Sequence, residues 1–471
     1  MTFLRAVGGV PGCSRRSRRG LVSAVTVAAL AAGCQTGTRP SSDRPAASSG
    51  ASPAQGRESM PIEPPSPSPS GAVSTASAPP LAVGGPVTPE DMAADARGER
   101  AFAAKLHGAL AKTASGNLFV SPASVRLAFG LVHAGAREGT AKELADLFGY
   151  TPKTADVAAA LARDWAKLGE TPKEEWRQGE VVTITSANRL FVARSLKLLP
   201  EYEATTRDRW AAPAELVDFA ADPEAARGVI NAWVAKNTRD KIKDILAPRT
   251  LTRDTKLALA NAIYFRASWR YPFGVSETKP GPFQASGGPV TVPMMTHLDH
   301  GKVGDTSEAE IVELPYGRDF VMTIVLPRAG LAAVEGAISE EKLRAWASAP
   351  VPVRKLRVTM PKFRVESTLG LAETMGALGV TRVFEYGKSD LSGIDGTHDL
   401  FVGTAIHKTF VAVDEKGTEA AAATVIGMEA GAAPDSSPPR EFKVDRPFLF
   451  AIRDAKRDRL VFLGRVTDPT K

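Results

Sequence analysis

Cysteine is nearly missing from this chain, with two in 471 residues. Cys13 lies in a segment that reads as a leader and Cys34 stands at its end, so the rest of the chain has no pair to cross-link. Its stability must come from its core, which a chain of this length can supply. Also missing are a G-x-S-x-G elbow, an H-E-x-x-H helix and a nucleotide-binding glycine loop. Ser339–Lys342 fits S-x-x-K, but its companion motifs are absent, so those residues read as a charged helix start. His297 and His300 sit in HLDH (297–300), which without a third ligand reads as a loop pair, not a metal site. Nothing calls for catalysis, a cofactor or a metal.

Acidic residues are absent from the first 33 positions, which hold Arg5, Arg15, Arg16, Arg18 and Arg19. Those five arginines account for most of the net charge of +7, so no nucleic-acid partner follows from charge. They precede LVSAVTVAALAAG (21–33), an apolar run too short to span a bilayer comfortably. Together these mark residues 1–33 as an export signal. The ending LAAGC resembles the bacterial lipoprotein box, with Leu30 one place further out than usual, and implies a lipid-anchored Cys34. Residues 34–88 are rich in Pro, Ser, Ala and Gly and read as a disordered tether holding the folded part off a membrane. The expected location is therefore exported and membrane-anchored, at the outer membrane or cell surface, or otherwise periplasmic or extracellular.

From residue 89 to 471 the composition is globular. Helical periodicity covers 90–113, an almost wholly apolar helix covers 121–136, and another helix covers 223–238. Strand patterns occupy 256–265, 320–327, 355–363 and 459–466. Helices dominate early and strands late with no βα alternation, which predicts an α+β fold with a large mixed sheet.

The stretch NLFVSPASVRLAFGLVHAGAREGTAKEL (117–144) resembles the early core of the serpins. The resemblance continues in order through ANRLF (187–191), INAWVAKNT (230–238), ANAIYFRASW (260–269), VPMM (292–295), KFRVES (362–367), FKVDRPFLFAI (442–452) and FLGRVTDP (462–469). It implies a monomer with a five-stranded central sheet, two smaller sheets, eight to nine helices and an exposed reactive-centre loop at about 415–440. It further implies an inhibitory hinge of Glu415, Gly417, Thr418, Glu419, Ala420, Ala421, Ala422, Ala423 and Thr424. Ser121, Ser124, Asn261 and His407 match a polar cluster beneath the opening sheet, and Trp269 the tryptophan where insertion begins. Read from the residues alone, the hinge is a latent strand. Its even positions (Thr418, Ala420, Ala422, Thr424, Ile426, Met428, Ala430) are small or apolar, giving one buryable face.

The resemblance implies a suicide substrate, whose bait bond is attacked by a serine protease and whose cleaved loop then enters the sheet. Family spacing places the cut after Gly431, before Ala432, with Ala430 and Met428 as alternatives. No Arg or Lys lies between Lys416 and Arg440, so elastase- or subtilisin-like targets are expected over trypsin-like ones. A papain-like cysteine protease is the alternative target. A non-inhibitory binding module at the cell surface is the alternative function.

Overall fold

The computed structural model describes residues 86–169, 182–317, 319–418 and 437–471. Helix α1 (Pro89–Thr113) starts at a capping box in which the Thr88 hydroxyl accepts from Asp91 N–H and the Asp91 carboxylate accepts from Thr88 N–H. Helix α2 (Pro122–Gly135) is capped by Ser121, has proline at its first position, and buries every residue except His133. Ser339 caps the helix Glu340–Ser348, accepting from Lys342 N–H, so the S-x-x-K match is a helix start as expected. Among the described residues there are ten α-helical segments, four of them seven residues or shorter.

In chain order the strands are β1 (Leu118–Val120), β2 (Val182–Ala193), β3 (Glu215–Val217), β4 (Leu257–Ser268), β5 (Lys279–Ala285), β6 (Gly288–Asp305), β7 (Ala309–Pro315) and β8 (Phe320–Pro327). They continue as β9 (Val351–Pro361), β10 (Phe363–Gly370), β11 (Val402–Asp414), β12 (Gly417–Thr418), β13 (Arg440–Lys443), β14 (Phe448–Asp454) and β15 (Arg459–Val466). One sheet has the order β10-β11-β12-β4-β2-β3. Without the two-residue β12 it is the five-stranded central sheet that was expected. The two smaller sheets run together through the 18-residue β6, as one path β1-β15-β14-β8-β7-β6-β9-β13 with β5 on β6.

The two sheets pack over a shared apolar core. Phe119 stacks on Phe450 and Phe462 at 5.5 and 4.7 Å, and Phe265 meets Tyr316 edge-on at 5.3 Å. HLDH is not a loop: His297 to Asp299 pair with β9 inside β6, and the ladder shifts register between Asp299 and Gly301. Aspartate is a poor strand former, so the pairing of β6 with β9 overrides local propensity at Asp299.

A buried cluster of four charges ties α1 and α2 to the β14–β15 hairpin. Arg126 meets Asp95 at 2.5 Å and donates to Phe148 O at 2.7 Å; Arg459 reaches Asp95 at 2.5 Å and Glu99 at 3.7 Å. Burial pushes the Glu99 carboxyl above its usual range, and the two guanidiniums oppose this only in part. Removing one member strands a buried opposite charge. Asp95→Ala should therefore cost about 3–5 kcal/mol, read as a lowered urea midpoint; a change under about 1 kcal/mol would show the cluster to be energetically idle.

Candidate functional site

Among the described residues the central sheet has two parallel pairings, β2 with β3 and β4 with β11, and the latter joins strands more than a hundred residues apart. β4 and β11 pair directly from Leu257 opposite Val402 up to Tyr264 opposite Phe410. Above that point they part, and β12 occupies the gap, antiparallel to both. Thr418 stands opposite Ala267 of β4 and Val413 of β11, and Gly417 opposite Ser268 and Asp414. The start of the predicted hinge is thus already a strand within the sheet.

Gly417 makes this entry possible. Its φ is +142°, and a Cβ there would lie 2.1 Å from Ala267 O and 2.8 Å from Ser268 Cα. Thr418 is fully buried, its hydroxyl 2.7 Å from that of Tyr316. Tyr316 stacks on Trp269 with ring centroids 4.2 Å apart, an arrangement worth about 0.5–1.5 kcal/mol beyond burial. Trp269 holds the turn before the hinge from both ends. Its indole N–H donates to Asp414 O and its backbone N–H to Lys416 O, each at 2.9 Å.

Glu415 anchors the root. Its carboxylate accepts from Thr278 Oγ1 at 2.8 Å and Lys362 Nζ at 2.9 Å, and its carbonyl accepts from Phe273 N–H at 2.8 Å. Burial raises the carboxyl's pKa, but the hydrogen bond from Lys362 and its companions outweigh this and hold it below the ordinary value.

Lower on the same seam the structure brings Ser121, Ser124, Asn261 and His407 together, all fully buried. His407 and Asn261 are register partners across the β4–β11 junction, and the His407 Nδ1–H donates to Asn261 Oδ1. Nε2 accepts from Ser121 N–H at 3.1 Å, which assigns the ring proton to Nδ1. Asn261 Nδ2 donates to Ser124 O at 3.1 Å and Ser124 Oγ at 2.7 Å, and Ser121 Oγ donates to Val461 O at 2.6 Å. Burial pushes the His407 imidazole down to about 3, opposed only in part by a hydrogen bond at Asn261. Asn188 on β2 completes the cluster, its Oδ1 accepting from Asn261 Nδ2 and, at 3.3 Å, from Ser124 Oγ. Sequence reasoning missed it, although an asparagine in the strand motif ANRLF was a visible signal. Tyr316 was also missed, because nothing local ties it to Trp269.

Hinge positions Glu419, Ala420, Ala421, Ala422, Ala423 and Thr424 lie outside the described residues. So do the bait positions Met428, Ala430, Gly431 and Ala432, and Cys34. β4, which borders the seam, is buried along nearly its whole length, on both faces. Tyr264, Ala262 and Ala260 lie under the helix Pro223–Asn237 in one core, while Phe265 and Ile263 belong to the core between the sheets. A strand entering this seam must be small on both sides.

A sheet with a partly filled parallel seam, a polar cluster across it and an anchored hinge at its mouth defines a class: proteins built to accept a strand of their own. A serpin (serine protease inhibitor) family model matches residues 97–469. The bovine leukocyte elastase inhibitor is 36% identical over 370 residues, covering 75% of this chain and 94% of that protein. Human serpin B4 is 32% identical, covering 76% and 95%. Among solved structures, uncleaved ovalbumin superposes with a TM-score of 0.71 at 26% identity, covering 80% of this chain and all of that one. Serpin48 of Tenebrio molitor gives a TM-score of 0.69 at 29% identity, covering 82% and 100%. The chain belongs to the serpin family, which is named for inhibitors and not for catalysts.

Two outcomes test the seam. Gly417→Val should expel β12, because the clash is with backbone, and proteolytic nicking near residue 417 should accelerate; an unchanged nicking rate would refute the close fit. For His407 the unfolded ring titrates near 6.5 and the native one near 3. Between those values the unfolded state holds the extra proton, so stability falls as pH drops from about 6.5 toward 3 and is unaffected above it. The slope is at most about 1.4 kcal/mol per pH unit. His407→Gln, which can keep both hydrogen bonds without titrating, should flatten it in urea titrations across pH.

Proposed function

We propose that this protein is a suicide-substrate inhibitor of serine endopeptidases. The observation that carries the reading is the register of β12. In the cleaved form the same register would continue down the seam, setting Ala420 opposite Phe265 and Val411, and Ala422 opposite Ile263 and Thr409. Thr424 would then fall between Asn261 and His407, so its hydroxyl can replace the bond that insertion breaks. One parallel ladder becomes two antiparallel ones, as β12 already shows at the top. The odd positions would face Tyr264, Ala262 and Ala260, which accounts for alanine at 421 and 423. Insertion drags an acyl-linked protease with it, and distortion of that enzyme's oxyanion hole traps the ester.

The same register bears on the bait. Met428 would lie opposite Leu257, where β4 ends, so a scissile bond beyond it suits full insertion. This favours Gly431–Ala432, or Ala430, over Met428. Small bait residues, the lack of Arg or Lys from 417 to 439, and relatives named as leukocyte elastase inhibitors support a protease with a shallow apolar S1 pocket. Residues 1–33 serve export, and Cys34 carries a lipid that anchors the 89–471 domain through the 34–88 tether, as in bacterial lipoproteins. The basic start, short apolar run and LAAGC support this.

Mixing the protein with elastase-, subtilisin- and papain-like proteases should give an SDS-stable adduct with a serine protease, nicked after Gly431 or Ala430. Loop-cleaved protein should melt far above the intact form. Ala422→Arg, which would bury a charge in the seam, should turn the inhibitor into a substrate and consume at least about tenfold more of it per protease trapped. Cleavage with neither adduct nor thermal shift would sink the proposal.

A further inference from the structure

Between α2, the start of the helix Pro152–Gly169 and the turn at 209–210 lies a cavity of about 140 Å³. An apolar cavity of about 150 Å³ is enough to hold benzene. His133, Tyr150, Pro152, Ala155, Arg209 and Trp210 line it, among others, and no residue of the hinge root or the polar cluster does. Its walls are set by contacts with backbone. A Cβ on Gly130 would lie 2.1 Å from the Trp210 ring, so the indole rests directly on α2. The Tyr150 hydroxyl donates to Arg126 O. Arg209 and Trp210 are presented by a π-helical turn, Thr205–Arg209, closed by Trp210 N–H donating to Thr205 O at 3.2 Å. Such turns are rare and recur at functional sites.

Within this aromatic and aliphatic lining, two polar side chains have unused hydrogen-bonding capacity. Arg209 spends one nitrogen, Nη2, on Asp156, and the rest of its guanidinium fork makes no hydrogen bond among the described residues. His133 lies against the Tyr150 ring with centroids 4.9 Å apart, and neither of its ring nitrogens has a hydrogen-bond partner among the described residues. Burial, and then the guanidiniums of Arg137 and Arg209, push its imidazole down to about 4. The ring is therefore neutral at neutral pH and offers one N–H donor. Arg137 donates to the carbonyls of Ala134 and Ala136, so Asp156 is the acid set against two guanidiniums. The polar end of the cavity keeps a positive balance.

We propose that this cavity binds a monocyclic aromatic carboxylate of about the size of benzoate. The volume admits one ring, and the Trp210 and Tyr150 side chains supply aromatic surface for it. The carboxylate would accept from the unused part of the Arg209 fork and from His133. Hydrogen bonds from a guanidinium to a carboxylate are about twice as strong as neutral ones, and the positive balance selects an anion over a neutral ring. Few side chains need reordering, because Asp156 already holds Arg209 and the α2 backbone already backs Trp210. A bound ligand would tie α2 to the helix Pro152–Gly169 and to the π-helical turn, and so stabilise the fold by mass action. The site does not depend on whether the loop traps a protease.

Saturation-transfer NMR of the full chain with sodium benzoate near neutral pH should show saturable binding in the millimolar range or tighter. Benzoate should also raise the melting temperature. Benzyl alcohol keeps the ring without the charge, and acetate keeps the charge without the ring; each should bind at least about tenfold more weakly. Ala155→Leu, which fills the cavity, and Arg209→Gln, which removes the charge, should each weaken benzoate at least about tenfold. Arg364→Gln, at an arginine on β10, should leave it unchanged. Ala155→Leu keeps the Arg209–Asp156 pair, so it and the ligand comparison decide the matter even where Arg209→Gln fails to fold. Absence of saturable benzoate binding, equal binding of benzyl alcohol, or binding unchanged in Ala155→Leu or in folded Arg209→Gln would overturn the proposal.

Discussion

The parallel pairing of β4 with β11 is the constraint on which the rest of the molecule depends. The two strands are neighbours only in space, with no hairpin between them to keep them together. Their evenly spaced, slanted ladder is slightly less stable per residue than an antiparallel one. A third strand running against both can therefore enter with a gain in hydrogen bonds, provided its side chains fit. β12 has done so for two residues, and what limits further entry is the direct pairing that begins below it.

That limit is polar as well as geometric. His407 and Asn261 close the junction with a bond that must break when the strands separate, and both are out of reach of water. An unpaired buried group costs about 1–3 kcal/mol, so the cluster opposes separation of β4 and β11 wherever the lost partner is not replaced. An apolar junction would lack this polar constraint. At the mouth, Glu415 is held by Lys362, Thr278 and Phe273, while Gly417 supplies the backbone space needed next to β4. The root of the hinge is thus fixed at the mouth of the seam.

Much of this was legible in the chain. The long helices and the strands β4, β8, β9 and β15 follow from periodicity, caps and β-branched runs, because those signals are local. The small residues from 417 to 424 stood out for the same reason. Less legible were features made by the approach of distant segments. Asn188 joined the polar cluster because β2 lies against β4. HLDH became a bulged strand because β9 pairs with β6.

The sequence by itself determined the α+β class, the family, the hinge and the four polar residues set to meet. These depend on residue type and spacing along the chain. Only the tertiary structure decided that the hinge is already seated by two residues, that the seam is parallel, and which residues face which across it. The register of β4 against β11 and β12 arises from contacts between segments more than a hundred residues apart. No local propensity encodes them.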